Sequence, residues 1–254
     1  MFRIAVLGSN GQMGRKHCEA YDGLGHKIVG AEDSPDIVSI ATPDQSHARQ
    51  VIAALKAGRH VFCEKPVSHV PFDLWRIKRL AGKGRSKLGV NLPLRYTPKF
   101  ADIIVRVSLG ELGTIYAIEA AYNWGRRWKL KEGWRAACRP YSYMAAGGIH
   151  MMDVADAMLD GNQKWMELAG VSDARVDIRH WQAGTAKVTI RANFGYNGRH
   201  EHWLRVWGEG RMIEVINETE PANHFKPIGE FCRAVEYNIP TNGLRALYLN
   251  RLAL

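Results

Sequence analysis

Arg3-Ile4-Ala5-Val6-Leu7-Gly8-Ser9-Asn10-Gly11-Gln12-Met13-Gly14 decides the fold. Arg3 to Leu7 is short and mostly apolar, as a buried strand is, and Gln12 to Tyr21 reads as a helix. The glycines between form a G-x-G-x-x-G-like run with one extra residue between the first two. Glycine lets the backbone turn sharply and approach a pyrophosphate, and the helix N-terminus supplies free N–H groups and partial positive charge. Gly8, Ser9, Asn10, Gly11, Gln12, Met13 and Gly14 are therefore assigned to a dinucleotide phosphate. A glycine run alone signals only a tight turn; its place between strand and helix favours the phosphate loop.

Outward from this loop, strands and helices alternate. Ile37 to Ala41, His60 to Cys63 and Leu88 to Asn91 read as strands. Asp44 is expected to cap the next helix, which Gly58 ends, and Phe72 to Ala81 is helical. Such alternation means a parallel sheet with crossover helices. The phosphate fingerprint expects an acid about 20 residues on, at the ribose hydroxyls. Asp33, beside Glu32, stands near that distance, and a surface-loop acid is the competing reading. Parallel neighbours need a crossover of about a dozen residues, and only Glu32 to Asp36 separate Ile28–Ala31 from Ile37. The two segments are thus not expected to be ordinary parallel strands of one sheet; a helix and strand are missing and the sheet is trimmed.

Beyond Pro93 the pattern changes. Val188, Ile190, Ala192 and Phe194 alternate with polar residues, as do His202, Leu204 and Val206 with Trp203, Arg205 and Trp207. Period-two patterning marks an antiparallel or mixed sheet. Ile228 to Tyr237 and Leu244 to Leu254 read as helices. The expected fold is α/β: a trimmed Rossmann parallel sheet in residues 1–92, then an α+β domain with an open, mostly antiparallel sheet in residues 93–254.

The chain of 254 residues is 46% hydrophobic and 24% charged, close to the globular average. No apolar run approaches the ~20 residues of a bilayer span, and no signal peptide is read at the start. Cys18, Cys63, Cys138 and Cys232 form no C-x-x-C pair, so reduced thiols and no metal site are expected. A soluble cytoplasmic protein without a membrane partner is the expectation. The net charge of +10 raises nucleic acid as a partner, but no nucleic-acid motif is present and none is assigned.

Three further segments complete a pattern. Ala41-Thr42-Pro43 with His47 follows the second clear strand. Ala57-Gly58-Arg59-His60-Val61-Phe62-Cys63-Glu64-Lys65-Pro66 follows the next helix, and Gly147-Gly148-Ile149-His150-Met151-Met152-Asp153 lies in the second half. With the glycine loop, and with Arg95-Tyr96-Thr97-Pro98 and Gly110 to Gly113, they resemble in this order the Gfo/Idh/MocA oxidoreductases, the group of glucose–fructose oxidoreductase and inositol dehydrogenase. The resemblance covers nearly the whole chain. It implies NAD or NADP as cofactor, with NAD favoured, and a sugar, cyclitol or nucleotide sugar as substrate. It also implies a homodimer or homotetramer formed through the C-terminal sheet. Ala41, Thr42, Pro43, His47, Glu64, Lys65 and Asn91 are assigned to the cofactor with the glycine loop and Asp33. These residues sit at strand ends, where open α/β sheets bind ligands.

Oxidising a secondary alcohol needs a base for the hydroxyl proton and a cation or donor near the oxygen. Lys65 matches the family's lysine and is assigned to the hydroxyl and the nicotinamide. His150 matches its histidine, as proton acceptor and substrate contact. Asp153 shares the helix face of His150 and is assigned to orient it, with binding of backbone groups as the alternative. Many members carry an aspartate four residues before this histidine, where Ala146 stands here. Three readings follow: chemistry on Lys65 and His150 alone, a substitute group at Tyr143 or Asp153, or a dinucleotide-binding sensor or regulatory protein without turnover. Trp124 to Tyr143 is rich in arginine and aromatics, and Trp124, Arg126, Trp134, Arg135 and Tyr143, with Arg95, are assigned to substrate. Arginine grips carboxylate or phosphate, which points to an acidic or nucleotide-linked sugar; an oligomer interface or solvated basic loop is the alternative.

Overall fold

The computed structural model describes residues 1–138, 141–159, 161, 163–195, 198–217 and 224–254. The chain divides into two compact units, residues 1–93 with the C-terminal helices, and residues 94–222.

In the first unit, β1 (Arg3–Leu7), α1 (Gln12–Gly23), β2 (Lys27–Ile28), β3 (Ile37–Ile40), α2 (Asp44–Lys56), β4 (His60–Cys63), α3 (Pro71–Lys83) and β5 (Leu88–Val90) follow in order. The strands form one sheet in the order β2-β1-β3-β4-β5, parallel throughout. This corrects the expectation that Ile28 and Ile37 cannot both belong to parallel strands of one sheet. Ile4 pairs with both, on opposite sides. Because β2 stops after two residues, residues 29–36 need only cross β1, about 10 Å, without retracing a strand. Their hydrogen bonds fall at its N-terminal end: Val29 N–H donates to Ile4 O and Asp36 N–H to Arg3 O. Among the described residues, no helix lies between β2 and β3.

Asp44 is also corrected. It is the first residue of α2, Pro43 occupies the cap, and the Asp44 carboxylate pairs with His69 at 3.3 Å.

In the second unit, α4 (Pro98–Ser108), β6 (Ile115–Asn123), α5 (Gly133–Ala137), α6 (Ile149–Met158), β7 (Trp165–Ser172), β8 (Val176–Ala183), β9 (Ala186–Asn193), β10 (Glu201–Gly208) and β11 (Met212–Asn217) follow. Its six-stranded sheet has the order β11-β10-β6-β9-β8-β7, antiparallel except for the β6–β9 pair. The alternation read from the sequence sets its inner face: Ile118, Ala120 and Tyr122 lie beside Val188, Ile190 and Ala192 and beside Val206, Leu204 and His202. All are buried, and α6 packs against β6 and β9.

The helices α7 (Phe225–Glu236) and α8 (Gly243–Leu252) belong to the first unit. Ile228, Phe231 and Cys232 join Ile4, Ala20, Tyr21, Ile37 and Phe62 in one core. Ahead of α8, Asn242 bonds both the N–H and the carbonyl of Val90, extending the β5 edge. Among the described residues, no helix is long and apolar enough to cross a membrane.

Candidate active site

The glycine loop leaves β1 at its carboxyl end. Gly8 has φ +85°, the left-handed region that favours glycine. A Cβ on Gly14 would collide with Gly8 O, so α1 starts this close to the strand only because position 14 is glycine. Gly11 caps α1 without any side-chain hydrogen bond, and the first turn carries no acid. An open helix N-terminus over an exposed glycine turn is a cradle for an anion, and it fits the pyrophosphate of a dinucleotide.

Asp33 follows β2. It lies in the segment crossing β1, where its carboxylate accepts from Gly30 N–H at 2.9 Å and its carbonyl accepts from the Arg3 guanidinium.

Ala41 to Pro43, Glu64–Lys65 and Asn91 follow β3, β4 and β5, so the assigned residues line up along the carboxyl ends of adjacent strands. His47 is buried behind them. Its Nδ1 lies 2.7 Å from Pro66 O and its Nε2 2.8 Å from Thr42 O, so it ties two loops together and offers no free nitrogen to a ligand. The Lys65–Pro66 peptide is cis. Asn250 of α8 accepts from Val67 and Ser68 N–H through Oδ1 and donates to Ser68 O through Nδ2. It holds the segment after Lys65 from a distance of some 180 residues in sequence.

In the second unit, Met144–Gly148 forms a widened helical turn that runs into α6. A Cβ on Gly147 would fall 2.6 Å from the Tyr122 ring, so glycine here lets the helix reach the sheet. His150 is buried and stacks on Tyr122 at 5.6 Å. Tyr122 also meets His202 at 4.8 Å and Phe194 at 6.1 Å, while Phe194 meets Trp124 and Tyr143, each at 4.8 Å. Arg135 lies over Trp134 at 4.1 Å and Trp124 at 5.9 Å. The structure thus brings together His150, Trp124, Trp134, Arg135 and Tyr143. Burial pushes the Tyr122 hydroxyl up to about 12, against the opposing pull of Arg126 and Arg135. Burial, then Arg126 and Arg135, lowers the Lys129 ammonium. Cationic groups therefore gather beside the wall of His150. Arg139 and Pro140 of the basic stretch lie outside the described residues.

Asp153 and Arg95 pair with each other. Arg95 Nε donates to Asp153 Oδ2 at 2.6 Å and Nη2 to Oδ1 and to the main-chain carbonyl. Both carboxylate oxygens accept from Arg95, so Asp153 holds the Arg95 segment on α6. Among the described residues, no cluster of histidine, cysteine and carboxylate side chains is set to hold a metal ion.

Sequence reading missed Tyr122, Phe194 and His202, although a histidine on the apolar face of a strand was a signal. It also missed His17 and Asn250. His17 was findable as a polar residue on the α1 face that carries Ala20 and Tyr21; Asn250 had no local signal.

A nucleotide-type cradle at the first βα turn of a parallel sheet is the arrangement of a dinucleotide-binding fold, and a unit with a mixed sheet follows it. A family model described as "Oxidoreductase family, NAD-binding Rossmann fold" (GFO_IDH_MocA) matches residues 25–92. Inositol 2-dehydrogenase of Rhodococcus erythropolis is 26% identical over 215 residues, covering 77% of this chain and 59% of that protein. Myo-inositol 2-dehydrogenase of Lactobacillus plantarum superposes with a TM-score of 0.81 at 13% identity, covering 99% of this chain and 96% of that one. The WlbA (WbpB) dehydrogenase of Thermus thermophilus, solved with NAD and UDP-GlcNAcA, superposes with a TM-score of 0.74 at 20% identity, covering 100% and 94%. Family match, relative and fold neighbours together make the chain similar to Gfo/Idh/MocA oxidoreductases. The chain spans 59% of the length of the Rhodococcus relative.

Proposed function

We propose that this chain binds NAD or NADP at Gly8–Gly14 and moves hydride between the nicotinamide and a secondary alcohol or ketone of a sugar, cyclitol or nucleotide sugar. The observation that carries this reading is the Gly8–Gly14 cradle with Lys65 on the same row of strand ends. The cofactor, when bound, supplies or accepts the hydride. Lys65 hydrogen-bonds the reacting hydroxyl and stabilises developing negative charge on its oxygen. His150 accepts the hydroxyl proton at its imidazole. NAD is the favoured cofactor, in line with the NAD-bound neighbour; the preference does not rest on Asp33. Arg126, Lys129 and Arg135 beside an aromatic wall favour a substrate carrying carboxylate or phosphate.

Titration with NADH and NADPH, followed by nicotinamide fluorescence, tests the reading. Saturable binding is expected, with turnover of a polyol or nucleotide sugar lost in Lys65→Ala and His150→Ala. No binding of either cofactor overturns it, and binding without turnover of any such substrate favours the sensor. A second copy of the chain is inferred as partner. The outer sheet face of the second unit carries Trp203 and Trp207 beside the exposed Ile216 and Met212. Sedimentation should show a dimer or tetramer that Trp203→Glu dissociates; a monomeric parent sinks this part.

A further inference from the structure

His17 stands three residues past Gly14 on α1 and is fully buried. Its Nε2–H donates to Glu64 Oε1 across 3.1 Å, and its Nδ1 pairs with the Ser39 hydroxyl at 2.9 Å. Asn91, also fully buried, donates through Nδ2 to the same Glu64 oxygen at 2.6 Å and to His224 Nδ1 at 3.1 Å. The surroundings are apolar: the Phe62 ring lies 5.6 Å from the imidazole, and Ala20 and Tyr21 fill the next turn of α1. A buried ionisable pair stabilises a core no better than well-packed apolar side chains of the same volume. Packing alone does not account for it. What the arrangement achieves is local: donors from α1 and β5 converge on one carboxylate, and the next residue is Lys65.

We propose, on the oxidoreductase reading above, that His17 is a positioning residue, which through Glu64 fixes the end of β4 and so the setting of Lys65 for cofactor and substrate. The groups facing Glu64 are His17 from α1, Asn91 from the end of β5, His224 ahead of α7, and Cys63 on its own strand; Lys16 and Lys65 act on His224. Burial acts to raise the Glu64 carboxyl. The hydrogen bond and charge of His17 oppose it, with His224 and Asn91, and hold the carboxyl well below the usual carboxylate range. Burial lowers His224 to about 4, which leaves its Nδ1 free to accept from Asn91 at neutral pH. Without His17, the buried carboxylate loses a donor and its protonation moves toward neutral pH.

NADH binding is measured by nicotinamide fluorescence from pH 5 to 8, with parallel thermal melts, for wild type, His17→Leu, Glu64→Gln and the double variant. Wild type is expected to bind with nearly constant affinity. His17→Leu should bind roughly tenfold more weakly at pH 5 than at pH 8. Glu64→Gln and the double variant should show no such acid limb and should match each other, the non-additive signature of one pathway. His17→Gln, which keeps a donor toward Glu64, should restore the flat profile. A His17→Leu protein that melts earlier but binds with a flat profile overturns the proposal, as does one that binds like wild type. Wild type that binds neither NADH nor NADPH overturns the oxidoreductase reading, and this proposal with it. A measurement without variants covers a His17→Leu protein that fails to fold. The ring-nitrogen shifts of His17 in wild type should move on saturation with NADH, and shifts unchanged at saturation overturn the proposal.

Discussion

At the scale of single residues, the buried ions show how two of the assigned positions are held. Arg95 and Asp153 each match a position that the resemblance associates with the site, yet they neutralise one another. Asp153 is almost wholly buried, with a side-chain exposure of 3%, and Arg95 is its two-point partner. Removing one member of such a pair leaves an uncompensated buried charge. Arg95→Ala is expected to cost about 3–5 kcal/mol in denaturant unfolding, and Asp153→Asn added to it should recover part of the loss. Stability close to wild type in Arg95→Ala would remove the pair from the account of the second unit. His47 teaches the same lesson. Its place after Ala41-Thr42-Pro43 was legible, but its ring nitrogens lie against Thr42 O and Pro66 O and make it a tie between loops.

At the scale of elements, local periodicity carried far. β1, α1, β3, α2, β4, α3 and β5 lie where the alternation of apolar runs and amphipathic segments puts them, because strand and helix periods are read over a few neighbouring residues. β2 was misjudged through its length: a two-residue strand is too short for the usual crossover rule to bind. The docking of α7 is the less legible case. Its amphipathic face says that it packs, not on what. Phe231 meets Phe62 at 5.4 Å over Gly89, whose bare backbone makes room for the ring. Phe231→Ala is expected to destabilise the first unit by about 3–5 kcal/mol through the cavity it leaves. Hydrogen exchange should show the loss in β1, β4 and α1. Faster exchange confined to the second-unit sheet would contradict the division described.

At the scale of the whole molecule, each unit buries a histidine that burial keeps neutral. In the second unit burial, then neighbouring His200, pushes His202 down to about 3 from an ordinary value of 6.5; in the first, burial lowers His224 to about 4. The unfolded chain takes up these protons below about pH 6.5 and the folded chain does not. Their contribution is therefore present above pH 6.5 and is lost as pH falls toward 4 and 3. For His202 the loss between pH 7 and pH 5 amounts to about 2 kcal/mol. Calorimetry across this range should show falling stability that His202→Gln flattens; an equally steep fall in the variant would remove His202 as the cause. By itself the sequence determined the glycine cradle, the parallel and mixed sheets, and the strand ends that carry Lys65 and Asn91. These depend on local period, on turn chemistry and on residue types a few positions apart. Only the tertiary structure decided that the C-terminal helices complete the first unit, that Asn250 holds the turn after Lys65, that His17 meets Glu64, and that Arg95 takes Asp153. Those partners lie 183, 47 and 58 residues apart in sequence. A buried polar group must find a partner wherever the packed chain offers one, and no local pattern records where that is.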